Sequence, residues 1–240
     1  MATSKRNRPL LHIIIPTRNE AENFPAIYNS IKKNISTPYE LIVVYDFDED
    51  TTVPIARKYA KSDKKLILHK NTAGIGVPNA IKSGFDYVKS GPVLFIMADL
   101  SDDLSIVDAM YEQYLDGAAI VCGSRYMQGG KQIGGPFIKQ SLSRLAGVSL
   151  YWIRRLPTHD VTNNFKLYDK AFLDTITIES KRGFEVAMEI TVKAFRKNLK
   201  IVELPTTWRD RALGESNFKL WSWAPKYLHW YFYALLPKQK

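Results

Sequence analysis

Several patterns that would assign a chain quickly are missing from this one. It has one cysteine, Cys122, set in the apolar run AAIVCG, which excludes a disulfide framework and a cysteine-built metal site and suits a reducing compartment. Nowhere do about 18 apolar residues run together, the length a helix needs to cross a bilayer. The N-terminal MATSKRNRP is polar and basic, so no apolar export core is expected there. A G-x-G-x-x-G turn is absent after the first strand, where PTRNE stands instead, and a GxxxxGK[ST] loop is absent as well. Nicotinamide-binding and P-loop readings fall with them. No internal repeat, low-complexity tract or composition break marks a linker.

What is present is a globular composition with a strong basic bias. At 240 residues and 45% hydrophobic, the chain can bury the core of one large α/β domain. The formal charge of +10 points to an acidic partner: nucleic acid, a nucleotide substrate or an anionic membrane surface. Charge alone does not choose among them.

The first half alternates strand and helix. LHIII (Leu11 to Ile15) reads as a buried strand ended by Pro16, with Asn19 and Glu20 opening a helix that carries Phe24, Ile27 and Ile31. ELIVVY is a second strand, followed by the acidic DFDED. Lys65 to His69 make a third, and the turn from Asn71 to Gly76 precedes a helix with Ala80, Ile81, Phe85 and Val88. The next strand starts at Val93, Ser105 to Leu115 reads as a helix and Ala118 to Cys122 as another strand. This order predicts an α/β fold with a mostly parallel, doubly wound sheet and helices on both faces.

The second half is less regular. Tyr126 to Pro136 holds four glycines and reads as a mobile loop. The helix pattern from Phe137 to Leu156 interleaves aromatic and aliphatic residues with Lys139, Arg144, Arg154 and Arg155. It suits a membrane interface or packing on the sheet. Asn164 to Tyr168 and Lys200 to Glu203 read as strands, with a helix from Phe184 to Lys197 between them. The tail WSWAPKYLHWYFYALLP suits an aromatic belt at headgroup level or a last helix docked on the core.

The stretch VLFIMADLSDDL carries the chemistry. Its apolar run stops abruptly, leaving Asp99, Asp102 and Asp103 in the loop at the strand's carboxyl end, the edge where open α/β sheets bind ligands. Acids this close repel unless a cation joins them, and hard divalent ions such as Mg²⁺ or Mn²⁺ take oxygen ligands from such loops. Alternatively, Ser101, Asp102 and Asp103 cap the helix that starts near Leu104.

PTRNEAEN (Pro16 to Asn23), VVYDFDEDTT, NTAGIG, MADLSDD and GSRY, in that order, resemble the family 2 glycosyltransferases of the GT-A fold. PTHDVTNNFKLYDK, RGFEVAME and ELPTTWRDRALGESNFK extend the resemblance to about Lys219 and narrow it to the dolichol- or polyprenol-phosphate mannose synthase group. The resemblance implies a donor-binding set of Pro16, Thr17, Arg18, Glu20, Val44, Asp46, Gly76 and Ala98. It makes Asp99 the second acid of a DxD metal motif whose first position is Met97, with Ser101 and Asp102 as the remaining metal-side residues. Arg125 and Arg211 match phosphate-facing arginines, and Asp160 an acid near the acceptor; with Asp99 these form the implied catalytic group. Tyr45 stands where an acid often precedes Asp46, and Asn217 where a lysine often follows the GES turn.

The implied reaction is an inverting, Mg²⁺- or Mn²⁺-dependent transfer of a hexose, mannose first, from GDP-mannose or a UDP-hexose to dolichyl or polyprenyl phosphate. A soluble or polysaccharide acceptor is the alternative. A basic nucleic-acid module is a weaker one, since no RNA or DNA motif appears and no nucleic-acid partner is expected. A phosphate monoester is already ionised near neutral pH, so Asp160 is expected to position rather than to remove a proton. The glycosyltransferase domain is expected over 1–219, with an aromatic helix over 220–240. The enzyme is expected in the cytoplasm, peripheral on the membrane's cytoplasmic face and held directly or by an anchoring partner subunit.

Overall fold

The computed structural model describes residues 8–181, 183–210 and 220–237. The apolar runs become strands buried on both faces, as parallel strands between helical layers are. These are β1 (Leu11–Thr17), β2 (Tyr39–Tyr45), β4 (Pro92–Phe95) and β5 (Ile120–Ser124), whereas β3 (Leu66–Lys70), at the sheet's edge, buries only Leu66. β7 (Lys166–Asp169) and β8 (Ile201–Pro205) fall on the strands expected there, and two further short strands, β6 (Lys131–Ile133) and β9 (Thr207–Arg209), were not expected. Helices are α1 (Phe24–Asn34), α2 (Thr52–Ser62), α3 (Val77–Tyr87), α4 (Val107–Leu115), α5 (Phe137–Arg154), α6 (Lys170–Leu173), α7 (Val186–Arg196) and α8 (Leu220–Leu235).

Seven strands form one sheet in the order β3-β2-β1-β4-β7-β5-β8. Every neighbouring pair is parallel except those of β7, which runs antiparallel between β4 and β5. The period of two divides the strands between two cores. Ile14, Val44, Phe95 and Cys122 face the layer holding Phe85 and Ile190, while Ile13, Val43, Leu94 and Val121 face the layer holding Phe24 and Met110.

The reversed strand decides what reaches the site. Lys166, the first residue of β7, lies beside Phe95 near the end of β4 and beside Cys122 in β5. The turn that enters β7 therefore shares an edge with the loops that leave the parallel strands.

The expected helix start at Asn19 is displaced: Asn19 adopts a left-handed φ of 58° and α1 begins at Phe24, with a proline in its first turn. The segment expected as a mobile loop, Tyr126 to Pro136, contains β6, which pairs with β9 as a separate two-stranded sheet.

Helix α5 has two apolar faces of different character. Ser143, Gly147 and Leu150 point inward, and the last two are buried. Ile138, Leu142, Leu145 and Trp152, also at helical spacing, are exposed by 61, 47, 65 and 71%. That outward stripe reverses the usual pattern of a helix docked on a core. Alongside runs α8, with Trp230 and Ala234 buried and Leu228 and Phe232 exposed, and Leu236 just past its end is exposed too. The Tyr231 and Ser149 hydroxyls meet at 2.9 Å, and Arg154 donates to the Ala234 and Leu236 carbonyls. Among the described residues no helix is long and apolar enough to cross a membrane.

Candidate active site

The carboxyl edge of the sheet gathers those of the sequence-predicted residues that lie within the described residues. On the β1–β2–β3 side, Pro16 and Thr17 end β1 opposite Val44 and Tyr45, and the Thr17 hydroxyl donates to the Val44 carbonyl. Arg18 is exposed. The Glu20 carboxylate accepts from Asn23 Nδ2 at 2.7 Å. Asp46 ties two loops together, accepting from Asn71 Nδ2 at 2.6 Å and from the Gly76 backbone N–H at 3.0 Å. Gly76, at φ 117° and ψ 154°, occupies backbone space open essentially to glycine alone.

Sequence reasoning missed what holds this turn. Asp50, fully buried, accepts from the backbone N–H of Asn19 at 3.0 Å and of Thr52 at 2.8 Å. The Thr52 hydroxyl accepts from Glu20 N–H at 2.9 Å, and Asn19 Oδ1 accepts from Thr51 N–H. The signal available was the Asp-x-Thr spacing after β2, a side-chain-to-backbone turn pattern.

In the loop after β4 the three aspartates divide their work. Asp103 is the cap: its Oδ1 accepts from Ser105 N–H and hydroxyl in the turn opening at Leu104. Asp99, buried and directly after buried Ala98, accepts from Ser101 N–H at 3.1 Å. Asp102 makes a long 3.5 Å contact with Met97 N–H. Burial, then the Asp99 charge, pushes the Asp102 carboxyl up to about 7, while Arg125 acts in the opposite sense.

These two carboxylates fit a hard divalent cation as a partial ligand set. Among the described residues no cluster of three His, Cys, Asp or Glu side chains forms. A cation here would therefore complete its shell with water and substrate phosphates, the usual situation of Mg²⁺. Bound there, it would neutralise diphosphate charge.

Across the edge, Arg125 follows β5 and pairs with Asp160. Asp160 Oδ2 accepts from Arg125 Nε at 2.6 Å and from its backbone N–H at 3.0 Å, and Oδ1 accepts from Nη2 at 2.9 Å. Oδ1 also takes the Asn163 N–H and the Thr162 hydroxyl. Burial opposes both charges, but each holds the other: Arg125 is pushed above its ordinary range and Asp160 below the carboxylate range. Arg125 Nη2 further donates to Ser143 of α5 at 3.1 Å and to Thr162. The guanidinium lies over the Tyr126 ring, 4.8 Å from its centre.

Arg125 thus spends one fork on Asp160. Among the described residues, Nη1 is the guanidinium nitrogen with no hydrogen-bond partner, since Nε and Nη2 donate to Asp160, Ser143 and Thr162. Lys166, fully buried, braces the same turn by donating Nζ to the Val161 and Asn163 carbonyls. Arg211, predicted beside Arg125, lies outside the described residues, as do the GES turn and Asn217.

A family model described as Glycosyl transferase family 2 matches residues 12–177. The chain belongs to glycosyl transferase family 2. Within the family it is 31% identical over 213 residues to the dolichol-phosphate mannosyltransferase of Pyrococcus furiosus, covering 86% of this chain and 58% of that one. It is 28% identical over 215 residues to the polyprenol monophosphomannose synthase of Mycolicibacterium smegmatis, covering 85% of this chain and 79% of that one. The chain therefore spans little more than half the length of the Pyrococcus relative. The fold is the family's GT-A architecture. A glucosyl-3-phosphoglycerate synthase from Mycobacterium tuberculosis, solved with Mn²⁺, UDP-glucose and phosphoglyceric acid, superposes with a TM-score of 0.71 at 15% identity, over 95% of this chain and 80% of that one.

Proposed function

We propose that the chain catalyses inverting transfer of a hexose, mannose first, from a nucleoside-diphosphate sugar to polyprenyl or dolichyl phosphate. The observation that carries this reading is the buried Arg125–Asp160 pair at the same sheet edge as Asp99 and Asp102. A diphosphate leaving group needs both kinds of partner, a fixed cationic donor and oxygen ligands for a divalent ion. The lipid phosphate acceptor and the mannosyl group are carried over from the names of the two sequence relatives.

In this reading Pro16, Thr17, Arg18, Glu20, Val44, Asp46, Gly76 and Ala98 cradle the donor nucleotide. Asp99 holds Mg²⁺ or Mn²⁺, with Asp102 and Ser101 beside it, and Arg125 and Arg211 face phosphate oxygens. An acceptor phosphate oxygen attacks the hexose C1 as the bond from C1 to the diphosphate oxygen breaks. The electron pair leaves with the nucleoside diphosphate and the configuration at C1 inverts. The acceptor's second pKa is about 6, so the nucleophile is ionised without a base. Asp160 has its oxygens committed to Arg125, Thr162 and Asn163 and acts by holding Arg125.

Residues 1–219 form the catalytic unit and 220–240 its aromatic extension. The outward stripe of α5, the exposed face of α8 and the exposed Arg144 and Arg155 suit a lipid surface with anionic headgroups. This favours direct contact, on the cytoplasmic face, over reliance on an anchoring partner subunit.

The test is incubation of the protein with labelled GDP-mannose or UDP-glucose, Mg²⁺ or Mn²⁺, and a short polyprenyl phosphate. Label is expected in the lipid phase. Transfer to soluble acceptors alone, or no lipid-linked product with any donor, would overturn the reading.

A further inference from the structure

The side chain just before Asp160 has a cage of its own. Glu203 on β8 accepts from the His159 backbone N–H at 2.8 Å through Oε2 and meets His159 Nδ1 at 2.6 Å through Oε1. A carboxylate only accepts, so Nδ1 carries the proton. On its other side the imidazole stacks on Tyr151 of α5, ring centres 3.7 Å apart and planes 25° from parallel. The backbone is held as closely. A Cβ at Gly147 of α5 would sit 2.0 Å from the His159 carbonyl oxygen, so α5 rests directly on this peptide.

These contacts give both halves of the Arg125–Asp160 pair one reference frame. Glu203 pairs in register with Cys122 of β5, three residues before Arg125. Arg125 is placed by the end of β5, and Asp160 by a turn pinned to the strand beside it. The side-chain bonds between Arg125 and Asp160 span 2.6 to 2.9 Å, a range that a small shift of the turn would disrupt.

We propose that His159 is a positioning residue for transfer: clamped by Glu203 and Tyr151, it fixes the turn that presents Asp160 to Arg125, and so sets where the Arg125 guanidinium meets phosphate. This rests on the functional reading above for the identity of that phosphate. Neither His159 nor Glu203 touches Arg125, so both act through Asp160.

The test compares His159→Ala, His159→Asn, Asp160→Asn and the His159→Ala/Asp160→Asn double variant. Each is assayed for transfer to a short polyprenyl phosphate, for calorimetric binding of GDP and UDP with Mn²⁺, and for thermal unfolding. His159→Ala should lower kcat by about 10²-fold, the scale of a misplacement near 1 Å, with a much smaller change in donor KM. Nucleoside-diphosphate binding should weaken severalfold, in step with the donor KM rather than with kcat. His159→Asn, which keeps a donor to Glu203, should recover most of the loss. In the Asp160→Asn background, His159→Ala should cost almost nothing further, because both changes remove one function. Losses that add in full, or a His159→Ala protein with turnover and nucleotide affinity within about twofold of wild type, would overturn the proposal. If wild type binds nucleoside diphosphate but makes no lipid-linked product, the functional reading falls, and the binding data from the same four proteins still decide the role of His159.

Discussion

Two carboxylate sites share the sheet's carboxyl edge: Asp160 is paired with a buried guanidinium, and Asp99 and Asp102 stand as like charges near each other. Asp160 has a buried guanidinium, a hydroxyl and two backbone N–H groups as partners. Asp99 lies close enough to Asp102 that its like charge, with burial, drives the Asp102 carboxyl up. The contrast is one of preorganisation. On the proposed reading, the cation that faces phosphate is set before substrate arrives, and the carboxylate side takes a divalent ion together with the donor.

The largest expected effect breaks the closed cluster. Asp160→Ala leaves Arg125 buried without its counter-charge and should cost about 3–5 kcal/mol in denaturant unfolding. Unchanged stability would mean the pair is not closed in solution. The pair also has an acid limit. Arg125 holds Asp160 below the carboxylate range, so its contribution is intact above that range and is lost as pH falls through the folded value. Asp160→Asn should remove this acid limb from a stability–pH curve.

The open cluster should behave in the opposite way. Asp99→Ala should cost less stability than Asp160→Ala, because it removes a like charge from beside Asp102, yet lower transfer by about 10²–10³-fold. Mn²⁺ with GDP or UDP at a hundredfold over Kd should stabilise wild type by about 2.7 kcal/mol, and Asp99→Ala should lose most of that shift. A variant as unstable as Asp160→Ala, or one still stabilised in full, would erase the distinction. The smallest effect belongs to Asp103→Ala, which removes a cap worth about 1 kcal/mol and should leave transfer unchanged; a large loss of turnover there would return Asp103 to the metal side.

The strands of the first half were legible because burial on both faces leaves unbroken apolar runs, as at Leu11 to Ile15 and Leu41 to Tyr45. Their carboxyl ends then marked Asp46, Asp99 and Arg125 as neighbours. β7 was legible as a strand but not as a reversed one: direction is set by pairing with β4 and β5, which residue types in KLYD do not encode. β6 and β9 are three residues long and partly exposed, too short for a period to register. Asp103 as cap and Asp99 as ligand could not be separated from spacing, since both suit a loop entering a helix. His159, Glu203 and Lys166 were invisible for a third reason. Their partners lie on other elements, and only the folded edge brings them together.

Helix α5 sets a distance as well as a position. Ser143 on its inner side bonds Arg125, and Leu145 on its outer side is 65% exposed. One helix diameter, about 10 Å, therefore separates the guanidinium from any surface on which α5 lies. On the proposed reading, a lipid phosphate would have to rise from that surface by a helix's width, roughly 10 Å. Acceptor chain length should then govern how long a substrate stays at the surface far more than how fast it reacts.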